Sequence, residues 1–253
     1  MMSKIELKYY NQEEVWDKYH DNISEINRGK EIVDLIPKNV TSVIDIGCGN
    51  GIVTNMINKS FVVGLDFAKI PLVQVNKNKI LAAIDLLPVK SKKFDLILLC
   101  EVLEHLDDGA YNKTIREIKR LSSPYLIISV PFEENVDLSR CKCDSCGNYF
   151  NINHHYRTFD IDTVKGEFPE YVVEKIKYTS CRISSNEKLI KLKHKFGVYL
   201  YSDVAVCNKC GGHPMKPNRI LRYVFGVLSA TDNIKNKYLK IKKPYHVIML
   251  LRK

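Results

Sequence analysis

The sequence predicts an α/β fold built around a doubly wound, mostly parallel sheet, and three observations support this. A glycine-rich turn follows an apolar segment at 42–46 and leads into a helical pattern. Continuous apolar runs at 94–100 and 125–131 are typical of strands that are buried on both faces. Segments with helical periodicity separate these runs, and such alternation is typical of parallel strands joined by crossover helices.

Composition limits the class of protein. Of the 253 residues, 45% are hydrophobic and 27% are charged, as in an ordinary globular protein. No apolar run of 18 residues or more is present, and the N-terminus lacks the apolar region of a secretory signal. We therefore expect a cytoplasmic protein whose eight cysteines are reduced or bound to metal.

The net charge of +10 suggests an acidic partner. Nucleic acid, a phosphorylated or nucleotide-linked substrate and an anionic membrane surface are the candidates. The alternative is a well-solvated basic surface with no such partner. The lysines are dispersed and form no single tract, so the sequence leaves these readings open.

The stretch 42–66 carries the clearest functional pattern. A strand, a glycine-rich turn, a helix over about 52–59 and a second strand at 61–65 precede Asp66. Glycine at every second position lets the backbone approach a ligand, towards which the helix directs its free N–H groups. An aspartate at the end of the second strand suits a ribose diol. The turn differs from the dinucleotide pattern G-x-G-x-x-G, because single residues separate its glycines at 47, 49 and 51.

Helices are predicted over residues 5–36, and we expect them to cover the ligand. Four aromatic side chains would line this cover or simply pack beneath it: Tyr9, Tyr10, Trp16 and Tyr19. A helix around 68–76 precedes a third strand at 80–85, which ends in Asp85. The strand at 94–100 is predicted to pass directly into a helix of about twenty residues.

The downstream half is less regular. A helix is predicted over 159–168 and strands over 171–180 and 245–253, with a long basic insertion at 181–243. Within this insertion, alternating apolar and basic residues at 186–199 indicate a strand or the edge of a lid. An apolar segment at 219–228 indicates a helix. For this insertion a cover for the site, a dimer contact and a docking surface for a lipid-linked substrate remain open.

The segment Asp45-Ile46-Gly47-Cys48-Gly49-Asn50-Gly51 resembles motif I of class I S-adenosylmethionine (SAM) methyltransferases. The block LPVKSKKFDLILLCEVLEHL is similar to the branch in which a V-L-E-H-L segment follows strand four. The resemblance covers about residues 40–131 and implies a Rossmann-like sheet of seven strands with an antiparallel last strand. Residues 171–180 and 245–252 then correspond to the last two strands. Another nucleotide-binding Rossmann-like fold is the alternative.

The resemblance also implies roles for individual residues. Asp45 and the three glycines would hold the methionine portion of SAM, and Asp66 would accept both ribose hydroxyls. Asp85 would contact the adenine amino group and Leu86 the ring, while 99–101 would edge the methyl-transfer site. The implied SAM contacts are Asp45, Gly47, Cys48, Gly49, Gly51, Asp66, Phe67, Asp85, Leu86 and Cys100. The two cysteines in this set also suit the core.

Two C-x-x-C-G motifs are typical of a structural zinc site with four cysteine ligands: Cys143, Cys146, Cys207 and Cys210. The roughly sixty residues between the pairs exceed the usual zinc-ribbon loop. We expect zinc to join two insertions into a lid above the cofactor. Free thiols are the alternative, as is Cys141 in place of one ligand.

These assignments divide the chain. The N-terminal helices and the SAM-binding core are predicted to span 1–131. The zinc-stapled lid would be built from 132–157 and 181–243. The remainder of the core is then 158–180 and 244–253.

The catalytic candidates are Glu101, Glu104 and His105, at spacing i, i+3 and i+4 on one face of the predicted helix. Glu-x-x-Glu-His at this place resembles two O-methyltransferase groups, the ubiquinone-biosynthesis enzymes and the small-RNA 2′-O-methyltransferases. The resemblance implies a divalent cation such as Mg²⁺, with His154 or His155 as a further ligand. Alternatively, His105 acts on the substrate side as an acid, a base or a positioning group without metal.

The sequence therefore predicts SAM-dependent methyl transfer to oxygen or nitrogen of a small-molecule or saccharide-type acceptor. An RNA methyltransferase is one alternative, although no RNA-binding module is recognisable. The other alternative is a catalytically idle module that retains the SAM fold or the zinc site. A homodimer remains open.

Overall fold

A seven-stranded sheet organises the computed structural model, which describes residues 4–20, 22–183, 186–238 and 242–253. In chain order the strands are β1 Ser42–Ile46, β2 Phe61–Asp66, β3 Asn78–Leu81, β4 Leu96–Cys100, β5 Tyr125–Pro131, β6 Arg140–Lys142, β7 Tyr149–Asn151, β8 Val172–Ile183 and β9 Lys242–Arg252. The α-helices are α1 Lys4–Tyr10, α2 Glu13–His20, α3 Ile23–Asp34, α4 Ile52–Met56, α5 Lys69–Leu72, α6 Asp108–Leu121, α7 Ile161–Glu167, α8 Glu187–Lys195 and α9 Arg219–Tyr238.

The strand order is β3-β2-β1-β4-β5-β9-β8, and β6 and β7 form a separate hairpin. Strands β1 to β5 are mutually parallel, whereas β9 runs antiparallel to both β5 and β8. This is the predicted α/β sheet with an antiparallel last strand, so the fold class is confirmed. The predicted last strands at 171–180 and 245–252 correspond to β8 and β9.

The central strands are buried on both faces. All four residues from Leu96 to Leu99 are fully buried, which agrees with the continuous apolar run. Alternate side chains of each strand enter separate hydrophobic clusters, one containing Ile44 and Ile97 and the other Val43 and Leu98. The two-layered core holds the sheet rigidly, so the carboxyl ends of β1, β2 and β4 meet along one edge.

The connection after β4 differs from the predicted long helix. Glu101 has a left-handed backbone with φ of 56°, and Leu103–His105 forms only a 3-10 turn. The α-helix begins at Asp108, because the Asp107 carboxylate accepts a hydrogen bond of 2.8 Å from Ala110 N and caps it. The prediction of a shared helical face for Glu101, Glu104 and His105 is therefore wrong.

The basic insertion is helical. Residues 186–199, predicted as a strand or lid edge, contain α8, whose N-terminus is capped by the side chain of Asn186. The strand prediction was wrong because Leu189, Leu192 and Phe196 also fit helical spacing. The predicted helix at 219–228 is confirmed and extends to Tyr238 as α9. Within the described ranges, no helix is both long and apolar enough to cross a membrane.

The cap at Asp107 can be tested by mutation. Asp107→Ala should lower the free energy of unfolding by about 1 kcal/mol, since it leaves an N-terminal N–H of α6 without its acceptor. Asp108→Ala is the matched control, because that side chain is 99% exposed and forms a surface ion pair with Arg157. Urea denaturation measures both changes, and an equal effect of the two substitutions would contradict the cap.

Candidate active site

The glycine turn after β1 depends on backbone conformations that glycine adopts readily. Gly47, Gly49 and Gly51 have φ values of 76°, 52° and 80°. Gly47 N and Cys48 N both donate to Leu65 O, at 2.7 and 3.0 Å, and tie the turn to the end of β2. A Cβ on Gly47 would lie 2.5 Å from Val102, and one on Gly49 would lie 2.5 Å from Trp16. The turn therefore leaves space for hydrogen atoms only.

Asp66 connects this turn to β2. Its Oδ2 accepts a 2.8 Å hydrogen bond from Gly49 N, and its Oδ1 accepts one of 2.8 Å from Ala68 N. Burial raises the pKa of Asp66, while these N–H donors act in the opposite direction. Each carboxylate oxygen keeps a second lone pair, so the group suits the predicted ribose diol.

Asp45 lies at the end of β1 behind the turn. Its Oδ2 accepts a 2.6 Å hydrogen bond from Thr54 Oγ1, and the side chain is almost fully buried. Burial raises the pKa of Asp45 to about 6, partly offset by Thr54. An anionic group at this position favours the cationic portions of SAM.

These residues line a cavity of about 290 Å³. Gly47 and Gly49 of the turn line this cavity, whereas Gly51 is not among the described residues that do so. The other predicted SAM contacts that line it are Asp45, Cys48, Asp66, Phe67 and Cys100. The predicted contacts at these positions thus lie in one wall. The volume is near the lower end of the range of ~300–1,000 Å³ found for small-molecule sites.

The N-terminal helices cover this cavity, as expected. Tyr9, Tyr10 and Trp16 all line it. Trp16 Nε1 donates to Tyr10 O at 2.8 Å, and the Tyr10 ring meets Phe67 edge-on with centroids 5.4 Å apart. The side chain of Tyr19, the fourth aromatic residue of the predicted cover, lies outside the described residues.

The third strand does not bring its acidic residue into this wall. β3 ends at Leu81, and Ala82 N then donates to Asp66 O at 2.9 Å. Among the described residues that line the cavity, Ala82 and Ile84 stand where Asp85 and Leu86 were predicted. Leu86 is 77% exposed. Asp85 instead forms an ion pair of 3.5 Å with Lys113, and neither it nor Leu86 is among the described residues that line the cavity.

Glu101 lines the cavity and has partners different from those of Glu104. Its carboxylate contacts Arg28 Nη1 at 2.8 Å and His246 Nε2 at 3.1 Å, and accepts a 2.7 Å hydrogen bond from Ser129 Oγ. Burial alone would raise the pKa of Glu101, but Arg28 and His246 hold it below the ordinary value. Glu101 is therefore a charged partner of Arg28.

Arg28 was not predicted from the sequence. Its side chain lines the cavity and is largely buried, yet Nε has no hydrogen-bond acceptor among the described residues. A buried guanidinium with an unused donor suits a carboxylate such as that of the methionine portion. The sequence around Arg28 did not indicate a role in the site, because α3 brings this side chain to the edge of the sheet only in the folded chain.

Glu104, His105 and His155 form a compact cluster, with one ligand atom of each within 4.8 Å of the others. Glu104 is fully buried, and within the described part of the chain neither of its oxygens receives a hydrogen bond. Burial and repulsion from Glu101 raise the pKa of Glu104. Burial lowers the pKa of His105, which keeps the imidazole neutral. A buried carboxylate without donors beside two imidazoles fits a divalent cation.

Glu134 is a further member that sequence reasoning missed. Its carboxylate contacts Nδ1 of His155 and leaves Nε2 of that ring for another ligand. Carboxylate–histidine pairs of this kind orient metal-bound imidazoles. His154 does not join the cluster, because it stacks on Tyr9 with centroids 4.5 Å apart and is 4% exposed.

The four predicted zinc ligands come together, with their sulfur atoms within 4.8 Å of one another. Sγ of Cys143 lies 3.5 Å from that of Cys210, and Sγ of Cys146 lies 3.7 Å from that of Cys207. A tetrahedral zinc with Zn–S bonds of about 2.3 Å requires sulfurs ~3.8 Å apart, so the spacing fits. Cys141 is outside the group, since its Sγ donates to Phe150 O at 3.3 Å.

The cysteine cluster joins the two predicted lid segments. Asp144 N donates to His213 O at 3.0 Å, and Met215 N donates to Lys142 O at 2.7 Å. The lid reaches the active site through Tyr156 N, which donates to Glu104 O at 2.7 Å. The side chain of Cys181, to which no role was assigned, lies outside the described residues.

The sheet order, the glycine turn and the acidic residue at the end of β2 define a class I SAM-dependent methyltransferase fold. A family model described as a methyltransferase domain matches residues 44–128. This match spans β1 to β5 and contains the residues of the turn. The chain therefore contains a methyltransferase domain with the class I SAM-dependent methyltransferase fold.

Similar solved structures agree with this fold. A SAM-dependent methyltransferase from Archaeoglobus fulgidus is 16% identical over 90% of this chain and 92% of its own, with a TM-score of 0.52. The Burkholderia thailandensis 1,6-didemethyltoxoflavin-N1-methyltransferase, with 1,6-didemethyltoxoflavin and S-adenosylhomocysteine bound, is 15% identical over 100% and 91%, with a TM-score of 0.53. A chain of the complex between the Haloferax volcanii Trm112 methyltransferase activator and the putative methyltransferase is 12% identical over 99% of both chains, with a TM-score of 0.58. No curated protein sequence matches.

Trp16 is the sole tryptophan, and its contact with the glycine turn provides a direct test. S-adenosylhomocysteine should change the intrinsic fluorescence in a saturable manner, because the ligand enters the cavity that Trp16 lines. Gly49→Ala should abolish this change, since its Cβ would both strain the backbone and meet the indole.

Gly166→Ala is the control for this measurement, since nothing lies within 4 Å of its Cβ position. A titration in which wild type shows no saturable change, or in which both variants respond equally, would contradict the assignment.

Proposed function

We propose that the chain transfers the methyl group of SAM to an oxygen or nitrogen of a small-molecule or saccharide-type acceptor. The observation that carries this proposal is the position of the Glu104, His105 and His155 cluster. His105 and His155 line the same cavity as the glycine turn and Asp66. Cofactor-binding groups and acceptor-activating groups thus share one enclosed space.

In this proposal the glycine turn, Asp45 and Arg28 hold the methionine portion, and Asp66 holds the ribose. The sulfonium of SAM supplies an activated methyl group. The chain must therefore align the acceptor, exclude water and remove a proton where the nucleophile is poor. Tyr10 and Trp16 line the cavity and exclude water. In a metal-free site His105 would accept the proton, whereas with the cation proposed below the metal lowers the pKa of the acceptor instead.

A second cavity of about 650 Å³ supports a compact, polar acceptor. Its wall combines tyrosines with amide, carboxylate and basic side chains, including Asn135, Tyr199, Tyr201 and Lys193. Aromatic rings beside several hydrogen-bonding groups suit a hydroxylated ring. Glu134 lines this cavity and contacts His155 of the first one, which connects the two sites.

We propose that the Glu104, His105 and His155 cluster holds a divalent cation. Two imidazoles and one carboxylate favour a transition metal such as Mn²⁺ or Zn²⁺, whereas Mg²⁺ prefers oxygen ligands. Bound there, the cation would orient an acceptor hydroxyl and lower its pKa. This set replaces the combination of Glu101, Glu104 and His105 expected from the sequence.

We also propose a structural zinc at the four cysteines, since a closed set of four thiolates leaves no open position for substrate. Its role is to hold the lid segments against the active site. The RNA alternative has weaker support, because the basic residues of α8 and α9 accompany exposed apolar side chains. A partner protein, as in the Haloferax volcanii complex, and a homodimer remain alternatives for assembly.

The function is tested by transfer of tritium from methyl-labelled SAM into a cell extract separated into small-molecule and RNA fractions. Label is expected in the small-molecule fraction, and label confined to RNA would contradict the proposed acceptor. Glu104→Gln should lower metal-dependent transfer by about 100-fold or more and leave binding of S-adenosylhomocysteine unchanged. Equal dependence of wild type and variant on added Mn²⁺ would contradict the cation site.

The zinc site is tested by elemental analysis of protein purified without chelators. Wild type should contain stoichiometric zinc and lose thermal stability when the metal is removed. Cys207→Ser should lose the metal. Cys141→Ser should keep it, since that thiol only donates to Phe150 O. Metal-free wild type, or equal loss in both variants, would contradict the assignment.

A further inference from the structure

α9 carries a row of apolar side chains on its solvent-facing side. Ile220 and Tyr223 are each 75% exposed, and Val224 and Val227 are 47% and 50% exposed. Their spacing of i, i+3, i+4 and i+7 places them on one helical face. A continuous exposed row of this kind is typical of a surface that meets another apolar phase or a partner.

α8 and the residue that follows it add two further exposed apolar side chains. The Phe196 ring packs against buried Phe225 of α9 with centroids 5.9 Å apart, so the two helices are joined through their apolar residues. Leu192 and Phe196 are nevertheless 43% and 54% exposed. We call α8, α9 and these exposed side chains the α8–α9 surface.

The same helices carry most of the excess positive charge. α8 and α9 together contain eight lysine or arginine residues and two acidic residues, a net charge of +6. The whole chain has a net charge of +10. Basic and exposed apolar residues therefore coincide, as in helices that lie in a membrane interface.

The positive charge and the exposed apolar row together distinguish between three partners, which are RNA, a second copy of the chain and a lipid bilayer. An RNA contact would use the basic residues but would leave the apolar row in water. A second copy would cover the row but would bring two surfaces of charge +6 together. An anionic bilayer accommodates both, because the apolar side chains enter the acyl boundary while lysine and arginine face the headgroups. We propose that the α8–α9 surface docks the protein onto an anionic lipid bilayer.

The contacts expected at the bilayer follow from the side chains. Tyr223 suits the headgroup region, where tyrosine and tryptophan are enriched. Phe196 suits the apolar face. Each basic residue near an anionic surface adds to the attraction, and this contribution falls as salt rises. Binding should therefore depend on both lipid charge and salt.

Vesicle flotation of the full-length protein tests the proposal. Vesicles of phosphatidylcholine with phosphatidylglycerol should retain the protein, whereas phosphatidylcholine alone should not, and high salt should release it. The double variant Ile220→Glu, Tyr223→Glu should lower partitioning about tenfold or more. Its control is Val73→Glu, Val172→Glu, which adds the same charge at valines that are 69% and 72% exposed outside these helices.

Both variants should bind S-adenosylhomocysteine as wild type does, which shows that they are folded. Equal loss of partitioning in both double variants would overturn the proposal, as would equal retention by neutral vesicles. No retention by anionic vesicles would also overturn it. Light scattering that then showed a dimer disrupted only by Ile220→Glu, Tyr223→Glu would assign the surface to a second copy. Salt-sensitive RNA binding without vesicle binding would assign it to RNA.

Discussion

The two hydrogen bonds of the Asp66 carboxylate determine the shape of the cofactor wall. Gly49 N and Ala68 N each donate to one of its oxygens, so the glycine turn after β1 is fixed to the end of β2. The turn can lie this close only because its glycines adopt positive φ and carry no Cβ. The cavity, its aromatic cover and the Arg28–Glu101 pair are all arranged around this wall. The chemistry of the site thus depends on a contact between two neighbouring parallel strands.

The lid segments contact both the active site and its cover. The cysteine cluster holds two segments together, and the first of these continues into His154, His155 and Tyr156. His154 stacks on Tyr9 of the cofactor cover, and Tyr156 N bonds to Glu104 O. A structural metal can therefore affect catalysis without touching substrate, by fixing where these side chains lie. The second cavity shares α8 and α9 with the proposed membrane surface.

Local patterns allowed the sheet and the glycine turn to be predicted, since buried parallel strands require continuous apolar runs and the turn requires glycine. The C-x-x-C-G motifs predicted the cysteine cluster, because this local spacing is typical of a zinc site with four cysteine ligands. The positions of side chains could not be predicted where tertiary contacts, and not the local sequence, determine them. The strand pattern did not reveal that β3 ends at Leu81, so Asp85, which was predicted at the end of this strand, lies beyond it beside Lys113. Glu134 and Arg28 carried no local signal, because only tertiary contacts bring them to His155 and Glu101.

The most direct test of the account is calorimetric titration of S-adenosylhomocysteine into wild type, Asp66→Asn and Asp85→Asn. Wild type is expected to bind, and Asp66→Asn to bind about tenfold more weakly or worse, since a hydrogen bond to a charged group contributes roughly 1.5–3 kcal/mol. Asp85→Asn should bind as wild type does, because its carboxylate faces Lys113 outside the cavity wall. Absence of binding to wild type, or a loss at Asp85→Asn without one at Asp66→Asn, would contradict the account.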